Sequence, residues 1–221
     1  MAKKKKTTAT KKTTAPAKAP QTTSAEDDSL FQLLDSKIEI PLSTLRDKHI
    51  FIATPCYGGQ IGEPYFRSMM RLVILCNKYN IQYTVSTLAN ESLITRGRNT
   101  LTSFFMENSS ATHLFFIDAD IEFNPEDILR MVAYDKPVVV GAYPKKAINW
   151  TSILGAARNP DMNEDAETIE GHSSNYVVNF EFLQDKDGKP TPQVQVQDNL
   201  VKLKDAGTGF MCIQKDVIQK M

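Results

Sequence analysis

Cysteine, histidine and tryptophan are scarce in this chain of 221 residues, at three, three and one. Cys56, Cys76 and Cys212 are odd in number and far apart, which fits neither a disulfide framework nor a zinc site. That usage points to a reducing compartment, the cytoplasm. No run of 18 apolar residues occurs, so no membrane-spanning helix is expected. The cationic N-terminus lacks the apolar stretch of a signal peptide. Acids are missing from residues 1–25, which carry seven lysines (Lys3 to Lys6, Lys11, Lys12 and Lys18). Residues 1–28 also lack any aromatic or large aliphatic side chain after Met1, so a disordered basic tail is expected there. Such a tail is either a tether for a polyanion or simply solvated. The formal net charge of zero hides this asymmetry, because the rest of the chain holds 19 basic against 26 acidic residues. A mildly acidic body argues against a large nucleic-acid footprint.

What is present is enough for a core, since 41% of the residues are hydrophobic. One globular domain over 48–221 is expected behind the tail, joined by a linker or docking helix over 29–47 with Leu30, Leu33 and Leu34 on one face. Strand-like and helix-like segments then alternate. HIFIATP (49–55) is a short apolar strand. EPYFRSMMRLVILCNKYN has Phe66, Met69, Met70, Val73 and Ile74 at helical spacing, a stripe expected to face the core. IQYTVSTL reads as a strand, TRGRNTLTSFFMEN as a helix entered near Arg98, and HLFFID as a central buried strand. Asn124 and Pro125 read as the cap and first residue of a helix. KPVVVGAY (136–143) is expected to be another buried strand. A loop of about thirty residues carrying Trp150 should follow, then NYVVNFEF and QVQVQDNLVKL paired around a DKDG turn. AGTGFMCI is one more short strand and KDVIQKM begins a helix. The fold class is therefore α/β, Rossmann-like, with a mostly parallel central sheet, helices on both faces and a small antiparallel hairpin region near the C-terminus.

HLFFIDADIEF (113–123) delivers two carboxylates to the end of its apolar run. If the strand continues through them, Asp118 and Asp120 share a side with alpha carbons roughly 6.5–7 Å apart, and Ala119 points away. Carboxylates that close repel unless a cation or proton intervenes. Hard oxygen ligands at the carboxyl end of a parallel strand suit Mg²⁺ or Mn²⁺ bridging to a phosphorylated ligand. The plainer alternative is a pair of capping acids at a strand-to-helix turn.

Four pieces stand in order along the chain: FIATPCYGG, ANESLITRGRN, FFIDAD and AGTGFM. With them the chain, over about residues 48–221, resembles the GT-A glycosyltransferases, most closely family-2-like enzymes that include those of phages and large viruses. For a viral chain the cytoplasm would be the host's. The resemblance implies transfer of a sugar from a nucleoside diphosphate sugar to a glycan, protein or other hydroxyl acceptor. It implies Thr54, Pro55 and Tyr57 at the base and ribose, and Asn90 or Glu91 accepting hydrogen bonds from the base. Arg98 and Asn99 would meet the diphosphate at a helix start. Asp118 and Ala119 would lie against the donor, with Asp118 and Asp120 as metal ligands for Mn²⁺ or Mg²⁺. Gly207, Thr208 and Gly209 would admit donor sugar or acceptor to the backbone, or form a plain bulge. Lys145, Lys146 and Trp150 are either phosphate and sugar contacts or surface loop.

The pattern's downstream catalytic acid and metal-binding histidine have no match after Met211. Asp216 is the one acid there, a weak candidate that reads as a helix cap, and the catalytic unit is expected to be incomplete as it stands. His172 reads as a loop histidine, while His49 and His113 sit at strand starts. A haloacid-dehalogenase-type phosphatase also places D-x-D at a strand end, but on the first strand and followed by Thr or Val, where this chain has Glu122. A non-catalytic nucleotide-sugar or glycan-binding module of the same fold is the other alternative.

Overall fold

The computed structural model describes residues 40–158 and 170–221. The basic tail, and Leu30, Leu33 and Leu34 of the expected docking helix, lie outside them. The described end of the docking segment does join the body: Ile40 and Leu45 are buried in the main core on either side of a 3-10 turn at Leu42–Thr44.

Five strands form the central sheet. β1 (His49–Cys56) lies between β2 (Gln82–Ala89) and β3 (His113–Ile117), parallel to both. β11 (Phe210–Gln214) pairs antiparallel with β3 on one side and with β4 (Val138–Val140) on the other. The order is β2-β1-β3-β11-β4, a mixed sheet in which the AGTGFMCI strand alone runs backwards.

Strand alternation divides the core in two. Ile50, Ile52, Phe115 and Ile117 face α1 (Glu63–Tyr79) and α3 (Pro125–Ala133) in the larger cluster. Phe51, Ala53, Leu114 and Phe116 face Leu101 and Phe105 of α2 (Ile94–Glu107) in the smaller one. Helices thus cover both faces, and β3 is buried along its whole length. Asn124 caps α3 as its sequence requires, its side chain accepting from Glu126 N at 3.1 Å, with Pro125 at the first helical position.

Four expectations are corrected. The buried stripe of α1 is Tyr65, Ser68, Met69, Leu72, Leu75 and Cys76, while Phe66 and Met70 are exposed. This helix carries two overlapping apolar stripes, and polar anchors select between them. The Tyr65 hydroxyl lies 2.6 Å from Thr54 Oγ1, and Ser68 Oγ accepts from Phe123 N at 3.1 Å, both buried. KPVVVGAY yields only the short edge strand β4, where Val139 is buried and Val138 exposed. The expected loop after Pro144 contains β5 (Pro144–Ile148) and α4 (Trp150–Ala157), the latter capped by Asn149. Finally, the hairpin partners differ in part. β6 (Ser174–Tyr176) pairs with β5, and β7 (Val178–Phe180) pairs with β10 (Leu203–Ala206). β8 (Val196–Gln197) and β9 (Leu200–Val201) form their own hairpin, turned by Asp198 and Asn199 at φ 52° and 60°. Across the DKDG turn the expected hairpin is present over a short stretch: Gln184 bridges antiparallel to Pro190, Leu183 N donates to Gln193 O and Thr191 N to Leu183 O. Within the turn Asp185 Oδ1 accepts from Asp187 N and Lys189 N. KDVIQKM opens α5 (Lys215–Gln219), as expected. Among the described residues no helix is long and apolar enough to cross a membrane.

Candidate functional site

The carboxyl ends of β1 and β3 open on a cleft of about 1090 Å³. Pro55 and Tyr57 line it from the end of β1, Arg98 from α2, and Asp118, Ala119 and Asp120 from the end of β3. These motif residues, spread over some sixty positions, meet at one place because parallel strands bring their carboxyl ends to the same edge.

The two aspartates do not extend the strand. β3 ends at Ile117, and Asp118 to Ile121 form a turn closed by Ile121 N donating to Asp118 O at 3.1 Å. The alternation expected of a strand therefore does not set their directions. The turn is fixed by its neighbours instead. Asp118 N donates to Gly209 O at 2.8 Å, and Gly62 N donates to Ala119 O at 2.7 Å. Ala119 thus contributes its carbonyl to the scaffold while lining the cleft. Such a clamped backbone holds side chains in place before any ligand arrives.

Each carboxylate already has a cation from the chain. Arg98 Nη2 donates to Asp118 Oδ1 at 2.7 Å, and Lys146 Nζ donates to Asp120 Oδ2. The first pair is the more enclosed, with side chains 20% and 34% exposed; the second stands at 79% and 51%. The Arg98 guanidinium also lies 5.8 Å from the Phe116 ring centre. Its Nε is buried with no hydrogen-bond partner among the described residues, so one donor of this side chain is unspent. Hydrogen bonding to Asp120, then its charge, raises the Lys146 pKa.

The glycines of AGTGFM serve close approach. A Cβ at Gly209 would lie 2.6 Å from Tyr143 Oη and 2.7 Å from Asp118 Oδ2. The absence of that atom lets Gly209 N donate to Tyr143 Oη at 3.1 Å and lets Asp118 pack closely beside it. Gly207 is packed against Tyr143 and Val177 in the same way.

Several sequence candidates fall elsewhere. Thr54 is fully buried and bonded to Tyr65, so it supports the strand end rather than facing a ligand. Asn90, exposed and at φ 60°, lies beside Gly59 and does not line the cleft. Glu91 is folded back on α2: its carboxylate takes Arg96 at 2.6 and 2.7 Å and Leu93 N at 2.9 Å. Hydrogen bonds from Arg96, then from Leu93, hold its pKa down to about 2. Arg98 is in the second turn of α2, not at its start, because the helix begins at Ile94. Asn99, one residue on, is exposed and turned off the cleft wall.

Asp216 lies at the opposite edge of the sheet. β11 runs antiparallel from Phe210, beside Ile117, to Gln214, beside His113, so α5 starts where β3 begins. Asp216 there pairs with Lys220 at 2.9 Å, which lowers its pKa. It is not positioned to act at the aspartates. His172 Nδ1 lies 3.5 Å from Ser152 Oγ near the start of α4, and Trp150 is exposed. Among the described residues no group of three His, Cys, Asp or Glu side chains is placed to hold a metal ion.

The cleft also has walls that the motifs did not indicate. Gln60, Ile61 and Gly62 come from the loop before α1, Ile94 from the start of α2, and Tyr143 and Val177 from the far side. Glu122 adds a third acid, exposed and without an ion pair among the described residues. Lys145 and Lys146, ambiguous in sequence, are strand residues on the cleft wall.

No protein-family model matches the chain, and no curated protein matches it. Among solved structures it is similar to the crystal structure of A197 from STIV, with 18% identity and a TM-score of 0.43 over 79% of this chain and 68% of that one, a likeness too loose to carry an argument.

Proposed function

We propose that this chain is a GT-A-type, metal-dependent glycosyltransferase that moves a sugar from a nucleoside diphosphate sugar to a hydroxyl acceptor. The observation that carries the reading is the convergence of Pro55, Tyr57, Arg98, Asp118 and Asp120 on one cleft at the carboxyl edge of the sheet. Sheets of this kind place their ligands at that edge.

The donor set fits Mn²⁺ or Mg²⁺. Asp118 and Asp120 offer hard carboxylate oxygens on the cleft wall. Two carboxylates suffice for such an ion, which takes its remaining ligands from water and phosphate. When bound, it supplies Lewis-acid stabilisation of the diphosphate. The chain's own contribution is positional and electrostatic. Pro55 and Tyr57 would flank base and ribose. Arg98, a planar cation on the cleft wall, would meet the diphosphate and offset the charge that grows there. Glu122 is the acid free to accept a proton from the acceptor hydroxyl as its oxygen bonds to the anomeric carbon. The bond from that carbon to the diphosphate oxygen breaks, and the electron pair leaves with the phosphate.

A non-catalytic nucleotide-sugar-binding module is the second reading, favoured by the remoteness of Asp216 from the cleft. The phosphatase reading would place D-x-D after the first strand, whereas here the pair follows β3, the third in chain order. One experiment separates the first two. The protein is incubated with UDP-, GDP- and dTDP-sugars and Mn²⁺, and release of nucleoside diphosphate is followed. The enzyme reading expects release from at least one donor, lost in Asp120→Ala. Binding of a donor with no release in any arm would leave the module reading.

A further inference from the structure

We propose that Lys146 is an exchangeable counterion: it occupies Asp120 while the cleft is empty, and passes to the diphosphate when a divalent ion takes its place. The inference rests on the reading of the cleft as a site for a nucleoside diphosphate and adds how that site is loaded.

The two ion pairs of the cleft differ in kind. Arg98 and Asp118 are partly enclosed and backed by Phe116, whereas Lys146 and Asp120 are open to solvent. An exposed pair is worth a factor of about five or less in an equilibrium constant. Asp120 is therefore the carboxylate that can change partners cheaply, and Asp118 keeps its arginine. Lys146 is suited to the exchange, because an ammonium on a four-carbon stem moves while its backbone stays. Its segment is anchored on either side, where β5 pairs with β6 at Pro144 and at Ile148, and it follows directly on Tyr143, itself bonded to Gly209.

The consequence is a coupling. A divalent ion arriving alone must push Lys146 off Asp120 and leave two positive centres side by side. A diphosphate arriving alone must draw Lys146 away from Asp120 and leave that carboxylate beside its own charge. Arriving together, each ligand supplies the partner that the other displaces. By linkage the gain in affinity is reciprocal. Lys202 is the internal control: it makes an equally exposed pair, with Glu181, and neither partner lines the cleft.

The test uses Mn²⁺ and inorganic pyrophosphate as probes. Free Mn²⁺ is read by electron paramagnetic resonance, and pyrophosphate binding by calorimetry. Lys146→Met should bind Mn²⁺ alone about threefold to fivefold more tightly, the factor expected for an exposed pair removed. The same variant should bind pyrophosphate in saturating Mn²⁺ about tenfold more weakly, for loss of a charge-assisted contact. Lys202→Met should change neither. That reversal of sign between the two ligands is specific to an exchange. Unchanged Mn²⁺ affinity in Lys146→Met, a shift of equal size in Lys202→Met, or weakening of both ligands would overturn the proposal. If the native protein takes up neither probe, the nucleoside diphosphate reading itself fails; Mn²⁺ uptake that ignores Lys146 removes the exchange alone.

Discussion

Replacing His113 by glutamine should flatten the pH dependence of stability between about pH 6.5 and pH 4. The ring opens β3 and is 3% exposed. Its Nδ1 lies 2.8 Å from Thr112 Oγ1, and its Nε2 is buried with no partner among the described residues. Burial first, and then the charge of Lys48, lower its pKa from 6.5 to about 4, against smaller opposing effects of Asp135 and Asp216. Above pH 6.5 the imidazole is neutral whether the chain is folded or not, and the native state bears no penalty. As the pH falls below 6.5 the unfolded chain takes up a proton that the folded chain refuses, so stability drops until the folded pKa is passed. With one pKa unit worth 1.36 kcal/mol, the loss reaches about 2 kcal/mol at pH 5 and approaches 3 kcal/mol near pH 4. His49, lowered by burial and then by Lys215, adds a contribution of the same sign. Urea unfolding of both proteins at several pH values measures the slope, whatever the variant's absolute stability. Equal slopes for His113→Gln and the native protein would refute the reasoning.

Three further outcomes follow from the site. Arg98→Ala should weaken nucleoside diphosphate binding by about 1.5–3 kcal/mol while leaving binding of the free nucleoside nearly unchanged, because the guanidinium meets charge; calorimetry with both ligands decides, and equal weakening would make Arg98 structural. Gly209→Ala puts a methyl group against Tyr143 Oη and Asp118 Oδ2. It should cost about 1–3 kcal/mol of stability, read by denaturant midpoint, and lower donor affinity. Asp216→Asn should leave donor turnover unaltered, since that carboxylate lies at the other edge of the sheet; a large loss in the release assay would place it in the reaction.

Much of this architecture is legible in the chain because it rests on local rules. HLFFI is apolar without a break and becomes the central strand, and Asn124-Pro125 caps a helix in sequence as in space. What escapes is set by long-range partners. The rotation of α1 depends on Thr54 and Phe123, which bond its Tyr65 and Ser68 and leave Phe66 and Met70 outside. The reversed direction of β11 depends on how the chain returns through β5 to β10, and with it goes the distance of Asp216 from the cleft. The ion pairs were hidden for the same reason: Arg98 is 20 positions from Asp118 and Lys146 is 26 from Asp120. Asn90 and Glu91 occur in the expected motif, but Arg96, five residues on, claims the Glu91 carboxylate.

The most direct measurement is a crystal structure with Mn²⁺ and whichever nucleoside diphosphate binds best, examined by anomalous scattering at the manganese edge. The expected result is one manganese peak within about 2.2 Å of a carboxylate oxygen of Asp120, with the diphosphate between it and Arg98 and with Lys146 moved off Asp120. A nucleotide bound elsewhere on the molecule, or one bound in this cleft with no manganese and with Lys146 still on Asp120, would contradict it.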